Sequence, residues 1–375
     1  MPLPVVDPAR YEAQLAEKVG VFRTDFAQFI APQPQVFRSA PLHYRLRAEF
    51  RIWHDGDRID YVMFDPAEPA TPIPLSVFPI GARRINELMP LLLKSLQADR
   101  QLSRRLFQVE FLTTLSGDAL ITLIYHRQLD EAWQIAARQL QSELKVGILG
   151  RSRGQKIILQ SDFVTETLTV AERQLSYQQI EGSFTQPNGG INQQMLNWAH
   201  AQTQTQTVGG DLLELYCGNG NFTIALAPNF KRVLATEIAK SSVRAAHKNL
   251  ADNAIDNVAM VRMSSAEIST ALSGGREFRR LRDVPLDDYR FSTLLVDPPR
   301  SGLDEVTLEL AKRFDNILYI SCNPQTLRTN IATLQSNSGQ ANSQQASHRI
   351  AALALFDQFP YTHHLECGVL LTRKA

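Results

Sequence analysis

The chain has 375 residues, 44% of them hydrophobic and 21% charged, with 39 basic against 38 acidic side chains. That composition excludes a disordered chain and a uniformly basic nucleic-acid coat, and the length predicts about two or three domains. No apolar run approaches the roughly 18 residues of a membrane-spanning helix, and the opening MPLPVVDPAR lacks the basic and apolar regions of a signal peptide, so a cytoplasmic protein away from membranes is expected.

Residues 5–30 predict a helix, with Leu15, Val19, Phe22, Phe26 and Phe29 at helical spacing. Residues 42–64 alternate around Asp55-Gly56 and predict a hairpin. Helical spacing returns over 82–98 (Ile85, Leu88, Leu92, Leu96), followed by a hairpin over 106–125 turning at Ser116-Gly117-Asp118. A helix over 130–144 and strands near 145–149, 156–160 and 164–181 complete an α+β half. The second half changes rhythm. LLELYC, RVLATEI, VAMVRM, TLLVDPP and ILYISC are short apolar runs separated by helical stretches, the pattern of a parallel sheet with crossover helices. IAALALF and GVLLTRK follow with a short connection, so the last strand is expected to run antiparallel. Residues 274–290 and the polar stretch 335–348 look like insertions that carry no chemistry.

Seven such strands resemble the class I methyltransferase variant of the Rossmann-like fold. The expected architecture is α/β: a mostly parallel seven-stranded sheet over 181–375, and an N-terminal α+β region over 1–180 whose first helix is a candidate to pack on the C-terminal domain.

Four strand ends carry candidate chemistry. Gly218-Asn219-Gly220-Asn221-Phe222 follows the first parallel strand, where glycines let backbone approach a ligand. Glu237 ends the next strand, placed to accept hydrogen bonds from the ribose of an adenosyl group. A nicotinamide dinucleotide and S-adenosylmethionine both suit that pair; the long lead-in Ser183–Asn188, with Gln186 able to fold over a ligand, favours the methyl donor. Asp297-Pro298-Pro299-Arg300 ends the fourth strand, where ligands bind in open α/β sheets. Some amino-methyltransferases hold a base with an aromatic residue after such a loop; here Arg300 stands instead. Cys322 lies just before a helix opened by Pro324, a position that lowers a thiol's pKa and favours the nucleophilic thiolate. Glu366 opens the last strand as a candidate general base. Cys217 and Cys367 sit inside apolar strands and read as structural, and with three cysteines and no CxxC pair neither a disulfide framework nor a metal or iron–sulfur site is expected.

GNGNF, LLVDPPRSGL, LYISCNP and HHLECGVLL, in this order, resemble the RNA 5-methyluridine methyltransferase family. The likeness extends upstream through SFTQPN and LFQVEFLTTLSG, over nearly the whole chain. It implies S-adenosyl-L-methionine as cofactor, contacted by Gln186, Tyr216, Asn221, Glu237 and Asp297. It also implies addition of Cys322 to uracil C6 and removal of the C5 proton by Glu366. Ribosomal members typically add a four-cysteine iron–sulfur cluster; no cysteine precedes Cys217 here, which favours tRNA, with the T-loop uridine as target and other T-loop-like RNAs as an alternative.

A target uridine must be flipped from its stack. Phe107 and His126 on facing hairpin strands are candidates to stack on RNA, with core packing the competing reading, and Arg300 is a third RNA candidate. Basic clusters at Arg83–Arg105 and Lys145–Lys156 fit RNA or an ordinary solvated face equally. Two other functions stay open: a tRNA-folding chaperone that needs no chemistry, and amino-group methylation, in which Cys322 is dispensable.

Overall fold

The computed structural model describes residues 5–56, 58–65, 67–204, 210–336 and 348–374. In chain order it begins with α1 (Tyr11–Asp25), β1 (Gln35–Phe37), β2 (Arg47–Asp55), β3 (Arg58–Asp65), β4 (Glu68–Pro74), α2 (Arg83–Ala98) and α3 (Arg100–Ser103). Next come β5 (Leu106–Thr113), β6 (Ala119–Tyr125), α4 (Glu131–Leu144), β7 (Gly147–Ser152), β8 (Gln155–Ile158), β9 (Phe163–Val170) and β10 (Arg173–Ile180). The rest alternates: α5 (Gly189–Gln204), β11 (Asp211–Leu215), α6 (Asn221–Leu226), β12 (Val233–Glu237), α7 (Lys240–Asp252), β13 (Val258–Arg262) and α8 (Ser265–Leu272). It ends with β14 (Phe291–Val296), α9 (Glu305–Ala311), β15 (Asn316–Ser321), α10 (Pro324–Gln335), β16 (His348–Phe356) and β17 (Glu366–Arg373).

These elements form two units that interleave in sequence. One comprises 40–167 and 178–190 with the described residues before Arg10; the other comprises 10–39, 168–177 and 191 onward. No single cut at 180 separates them. The chain passes from one unit to the other within β9 and again within β10, and α1 belongs to the second unit because its apolar face needs the second unit's core.

The first unit holds a seven-stranded sheet in the order β4-β3-β2-β5-β6-β7-β8. Its core is built by the helical stripe Ile85, Leu88, Met89, Leu92 and Leu96 and by Trp133, Ala137 and Leu140 of α4. Asp130 caps α4 by accepting from Trp133 N at 2.9 Å. Gly150 on β7 lies so close beneath the Trp133 ring that a Cβ would collide with it. β4 was not expected from the sequence. Its prolines (Pro69, Pro72, Pro74) forbid a central strand, and the strand lies at the sheet edge, where prolines are tolerated.

The second unit holds an eight-stranded sheet in the order β1-β16-β17-β15-β14-β11-β12-β13. β17 runs antiparallel to both β15 and β16; the other pairings that are described are parallel. The expected seven strands are thus joined by β1, three residues added beside β16, where Phe37 stacks on Phe356 with centroids 4.7 Å apart. Three residues carry too little alternation to signal a strand. The predicted helix over 5–30 is shorter at both ends, and Leu15, Val19, Phe22 and Phe26 bury one face against the sheet. The 274–290 stretch forms two 3-10 turns and buries Leu281, so it contributes to the core. Most of the polar stretch 335–348 lies outside the described residues.

Candidate active site

Parallel strands deliver their carboxyl ends to one edge of the sheet, and an antiparallel strand delivers its amino end there. β11, β12, β14 and β15 therefore bring Tyr216, Glu237, Asp297 and Cys322 to the edge at which β17 begins with Glu366. Ser321 pairs with Cys367 across β15 and β17, so Cys322 and Glu366 are the next residues along that antiparallel ladder.

The glycine loop after β11 is held open. Tyr216, Gly218 and Gly220 have φ of 61°, 58° and 84°. A left-handed tyrosine costs energy that only a constrained turn sustains; here its hydroxyl meets Ser265 Oγ at 2.8 Å. A Cβ on Gly218 would meet nothing within 4 Å, which leaves room above the loop for a ligand. Glu237 supports the loop from the next strand: its carboxylate accepts from Gly218 N at 3.1 Å and from Ala239 N at 2.6 Å. Asn221 is fixed by reciprocal amide hydrogen bonds with Asn192, at 3.0 and 2.8 Å.

The Asp297 loop is bolted to the helix behind Cys322. Asn323 Nδ2 and Thr326 Oγ1 donate to Arg300 O at 3.0 and 3.2 Å. Asn330 Oδ1 accepts from Leu303 N at 2.9 Å and Tyr319 Oη at 2.8 Å. Gly302, with φ of 78°, passes so close that a Cβ would lie 2.6 Å from that oxygen. Asn323, Thr326 and Asn330 thus form one polar stripe at helical spacing. Asn323 also caps α10 by accepting from Gln325 N at 3.1 Å. This stripe was not anticipated, although its i, i+3, i+7 spacing is legible in SCNPQTLRTN.

The charge state of the edge corrects one expectation. Cys322 was expected to have a lowered pKa at the helix start. Instead burial, then the neighbouring Glu366 and Asp297 carboxyls, push its thiol up to about 11, with Arg300 opposing. A helix terminus supplies roughly 0.3–1 kcal/mol at an exposed site, less than burial beside two acids demands. Burial, with Asp297 adding to it, pushes Glu366 up to about 8, again opposed by Arg300. Burial alone raises Asp297 to about 7. Glu214 on β11 is a further buried carboxylate missed from sequence, raised to about 8 by burial, and its Oε2 has no partner among the described residues. A glutamate inside the all-buried strand DLLEL was its signal. The edge is acidic, and exposed Arg300, with a guanidinium nitrogen 3.5 Å from His364 Nε2, opposes that charge. A cation arriving beside these acids would lower all their pKa values together, so glycine loop, ribose-type acceptor and acidic surround suit a cationic adenosyl ligand. Among the described residues, no group of three His, Cys, Asp or Glu side chains is disposed to hold a metal.

Gln186 lies in the other unit, half-buried in the stretch between β10 and α5. Phe107 and His126 also belong to that unit, and their rings stack with centroids 4.1 Å apart. The register slips between Leu106 and Gln108, so Phe107 is the bulged residue, a device that re-aims a side chain. Arg51 also lies over Phe107, its guanidinium carbon 3.5 Å from the ring centroid. Arg51, Arg104, Arg105 and His126 are exposed. The Lys145–Lys156 cluster is partly neutralised: Arg151 and Lys156 both pair with Glu181, and Lys156 with Asp162.

Residues 10–374 match the family model described as tRNA (Uracil-5-)-methyltransferase. The chain is 64% identical over 375 residues to the tRNA/tmRNA (uracil-C(5))-methyltransferase of Aromatoleum aromaticum, covering 100% of this chain and 99% of the relative. It is 60% identical over 374 residues to the protein of that name in Dechloromonas aromatica, covering 100% of both chains. Among solved structures it is similar to the Pyrococcus abyssi tRNA (uracil-54, C5)-methyltransferase in complex with S-adenosyl-L-homocysteine. The TM-score is 0.71 at 18% identity, over 96% of this chain and 83% of the other, a likeness of fold.

Proposed function

The chain belongs to the tRNA (uracil-5-)-methyltransferase family, and we propose that it methylates C5 of the T-loop uridine of tRNA, with Cys322 as nucleophile and Glu366 as base. The observation that carries this reading is the juxtaposition of Cys322 and Glu366 at adjacent ladder positions, with Asp297 close enough to shift both. Tyr216, Asn221, Glu237 and Asp297 would hold S-adenosylmethionine, which when bound supplies an electrophilic methyl group on a positively charged sulfur.

The protein's own groups account for the rest. The positive charge of a bound S-adenosylmethionine would favour the ionised forms of the acids at the edge; on this reading the Cys322 thiol loses its proton to solvent and Glu366 stands as a carboxylate. The Cys322 sulfur forms a bond to C6, and the electron pair displaced from the C5–C6 double bond makes C5 nucleophilic. C5 would then take the methyl group, whose bond to the cofactor's sulfur breaks with the electron pair left on that sulfur. Glu366 then accepts the C5 proton, the double bond re-forms, and the C6–S bond breaks with its electron pair returning to sulfur. Arg300 balances negative charge at the same edge, and on this reading its exposed guanidinium contacts the RNA. His126, exposed and backed by Phe107 with exposed arginines around it, offers an aromatic face to a base unstacked from the tRNA.

The test is transfer of labelled methyl to unmodified tRNA, with digestion and mass spectrometry to place the product. Label at C5 of the T-loop uridine from wild type, and none from Cys322→Ala, is expected. Label on a base amino group, or label persisting in Cys322→Ala, would overturn the reading. A folding-chaperone role would survive in Cys322→Ala as restored aminoacylation of misfolded tRNA, and it fails if that restoration is lost with catalysis.

A further inference from the structure

α1 is more than a cover for the sheet. Tyr11, Lys18 and Asp25 recur every seven residues, which places them on one stripe of the helix. That stripe reaches both segments that carry the catalytic pair.

Lys18 points at the connection between β16 and β17. Its Nζ lies 2.6 Å from Asp357 Oδ1 and donates to Phe359 O at 2.9 Å. The pair is buried, the Lys18 and Asp357 side chains being 9% and 1% exposed. Asp357 N in turn donates to Phe37 O at 3.0 Å, which ties this connection to β1 as well. Tyr11 joins from one turn-pair earlier. Ser39 N donates to its hydroxyl at 2.9 Å, its ring packs edge-on against Tyr361, and burial with the Asp357 carboxylate pushes its hydroxyl pKa up. The connection then runs from Phe359, whose ring meets His364 edge-on, through His364 beside Arg300, to Glu366.

Asp25, two turns beyond Lys18, points at the other segment. Its Oδ2 accepts from Gln325 Nε2 at 2.6 Å, and Gln325 is in the first turn of α10, three residues after Cys322. One rigid helix is thus fastened to the loop that presents Glu366 and to the helix start that presents Cys322. Both attachments belong to the same unit.

We propose that α1 is a positioning strap for the catalytic pair, and that Lys18 and Asp25 are its two fastenings. The proposal rests on Cys322 and Glu366 acting as nucleophile and base. Neither Lys18 nor Asp25 touches the reacting atoms; each acts by holding Glu366 and Cys322 in register. A surface ion pair contributes little to stability, but a buried lysine that spans a loop carboxylate and a loop carbonyl removes freedom from the backbone that aims the base. A misplacement of about 1 Å costs on the order of 100-fold in rate. The step that needs both residues on one substrate at once is release: Glu366 must reach the C5 proton while Cys322 still holds C6.

The experiment uses full-length protein, unmodified tRNA and labelled S-adenosylmethionine. It measures single-turnover methyl transfer, the rate at which the denaturant-stable protein–RNA adduct disappears, and KM for tRNA. Removing Lys18 alone strands a buried carboxylate and endangers the fold, so the variant is Lys18→Met with Asp357→Asn. The second variant, Asp25→Ala, sits at the surface and spares the core. Adduct release is expected to slow by about 10- to 100-fold in the first and by a smaller factor in the second, while KM for tRNA stays unchanged. Wild-type release in both folded variants would overturn the strap. A parallel fall in KM performance, methyl transfer and release would also overturn it, by assigning α1 a merely structural role. Cys322→Ala and Glu366→Gln run alongside. No adduct in the first and a persistent adduct in the second are the results the underlying mechanism requires. If Cys322→Ala still methylates, that mechanism fails, and the strap with it.

Discussion

The strand-end edge in one unit and the Arg51–Phe107–His126 stack in the other are built by opposite rules. At the edge each group is fixed by specific bonds: Glu237 to two backbone amides, Asn221 to Asn192, the Asp297 loop to Asn323, Thr326 and Asn330. Burial pushes Asp297 and Glu366 there well above the ordinary carboxylate range. In the stack the side chains meet through ring faces, with Arg51 and His126 exposed to solvent. Bond-making demands fixed distances and a tuned charge, which burial and hydrogen bonds supply. Capture of an unstacked base demands an accessible π surface and positive charge, which tolerate looser placement.

If that division is right, variants in the two regions should fail differently. The largest effect belongs to Cys322→Ala, which should lower methyl incorporation by on the order of 10⁴-fold or more and leave tRNA affinity intact in filter binding. Phe107→Ala with His126→Ala should do the reverse. Losing stacking of about 1–3 kcal/mol per base raises the dissociation constant for tRNA by roughly 5- to 150-fold, with methylation retained at saturating RNA. Equal losses of affinity in both variants would erase the distinction. Asn330→Ala should fall between them. It strands the Leu303 amide and the Tyr319 hydroxyl, costs about 1–3 kcal/mol, lowers Tm, and reduces kcat by loosening the loop that carries Asp297.

The smallest effect is the most diagnostic of the charge argument. Glu366 has its pKa raised from 4.5 to about 8 by burial, so the folded state holds its proton where the unfolded state has lost it. Stability from this group is full below pH 4.5 and is lost as pH rises to about 8. Glu366→Gln should therefore raise Tm little near pH 4.5 and most above about pH 8. A pH-independent difference in Tm would remove the charge explanation.

The same contrast governs what could be read from the amino acids. Strand ends are announced by apolar runs that break into Gly, Pro, Asp or Cys, so the order of the parallel strands and their functional edge were visible. β1 was not, because three residues show no period, and β4 was hidden by its prolines. The sign of the Cys322 shift is not legible in sequence, because the helix start is local whereas Glu366 and Asp297 are distant in the chain and close only after folding. For Phe107 the residue type leaves core and surface equally open, and the bulge in β5 that re-aims it has no signal in the sequence. The fastenings of α1 join residues 339 and 300 apart, beyond any local pattern.

The most direct measurement of the central claim is to incubate the Glu366→Gln protein with tRNA and S-adenosylmethionine, digest both chains, and locate the cross-linked peptide by mass spectrometry. A persistent adduct joining a C5-methylated uridine to the peptide that contains Cys322 is predicted. An adduct on Cys217 or Cys367, or methylated tRNA released at the wild-type rate with no adduct, would contradict the pairing of Cys322 with Glu366.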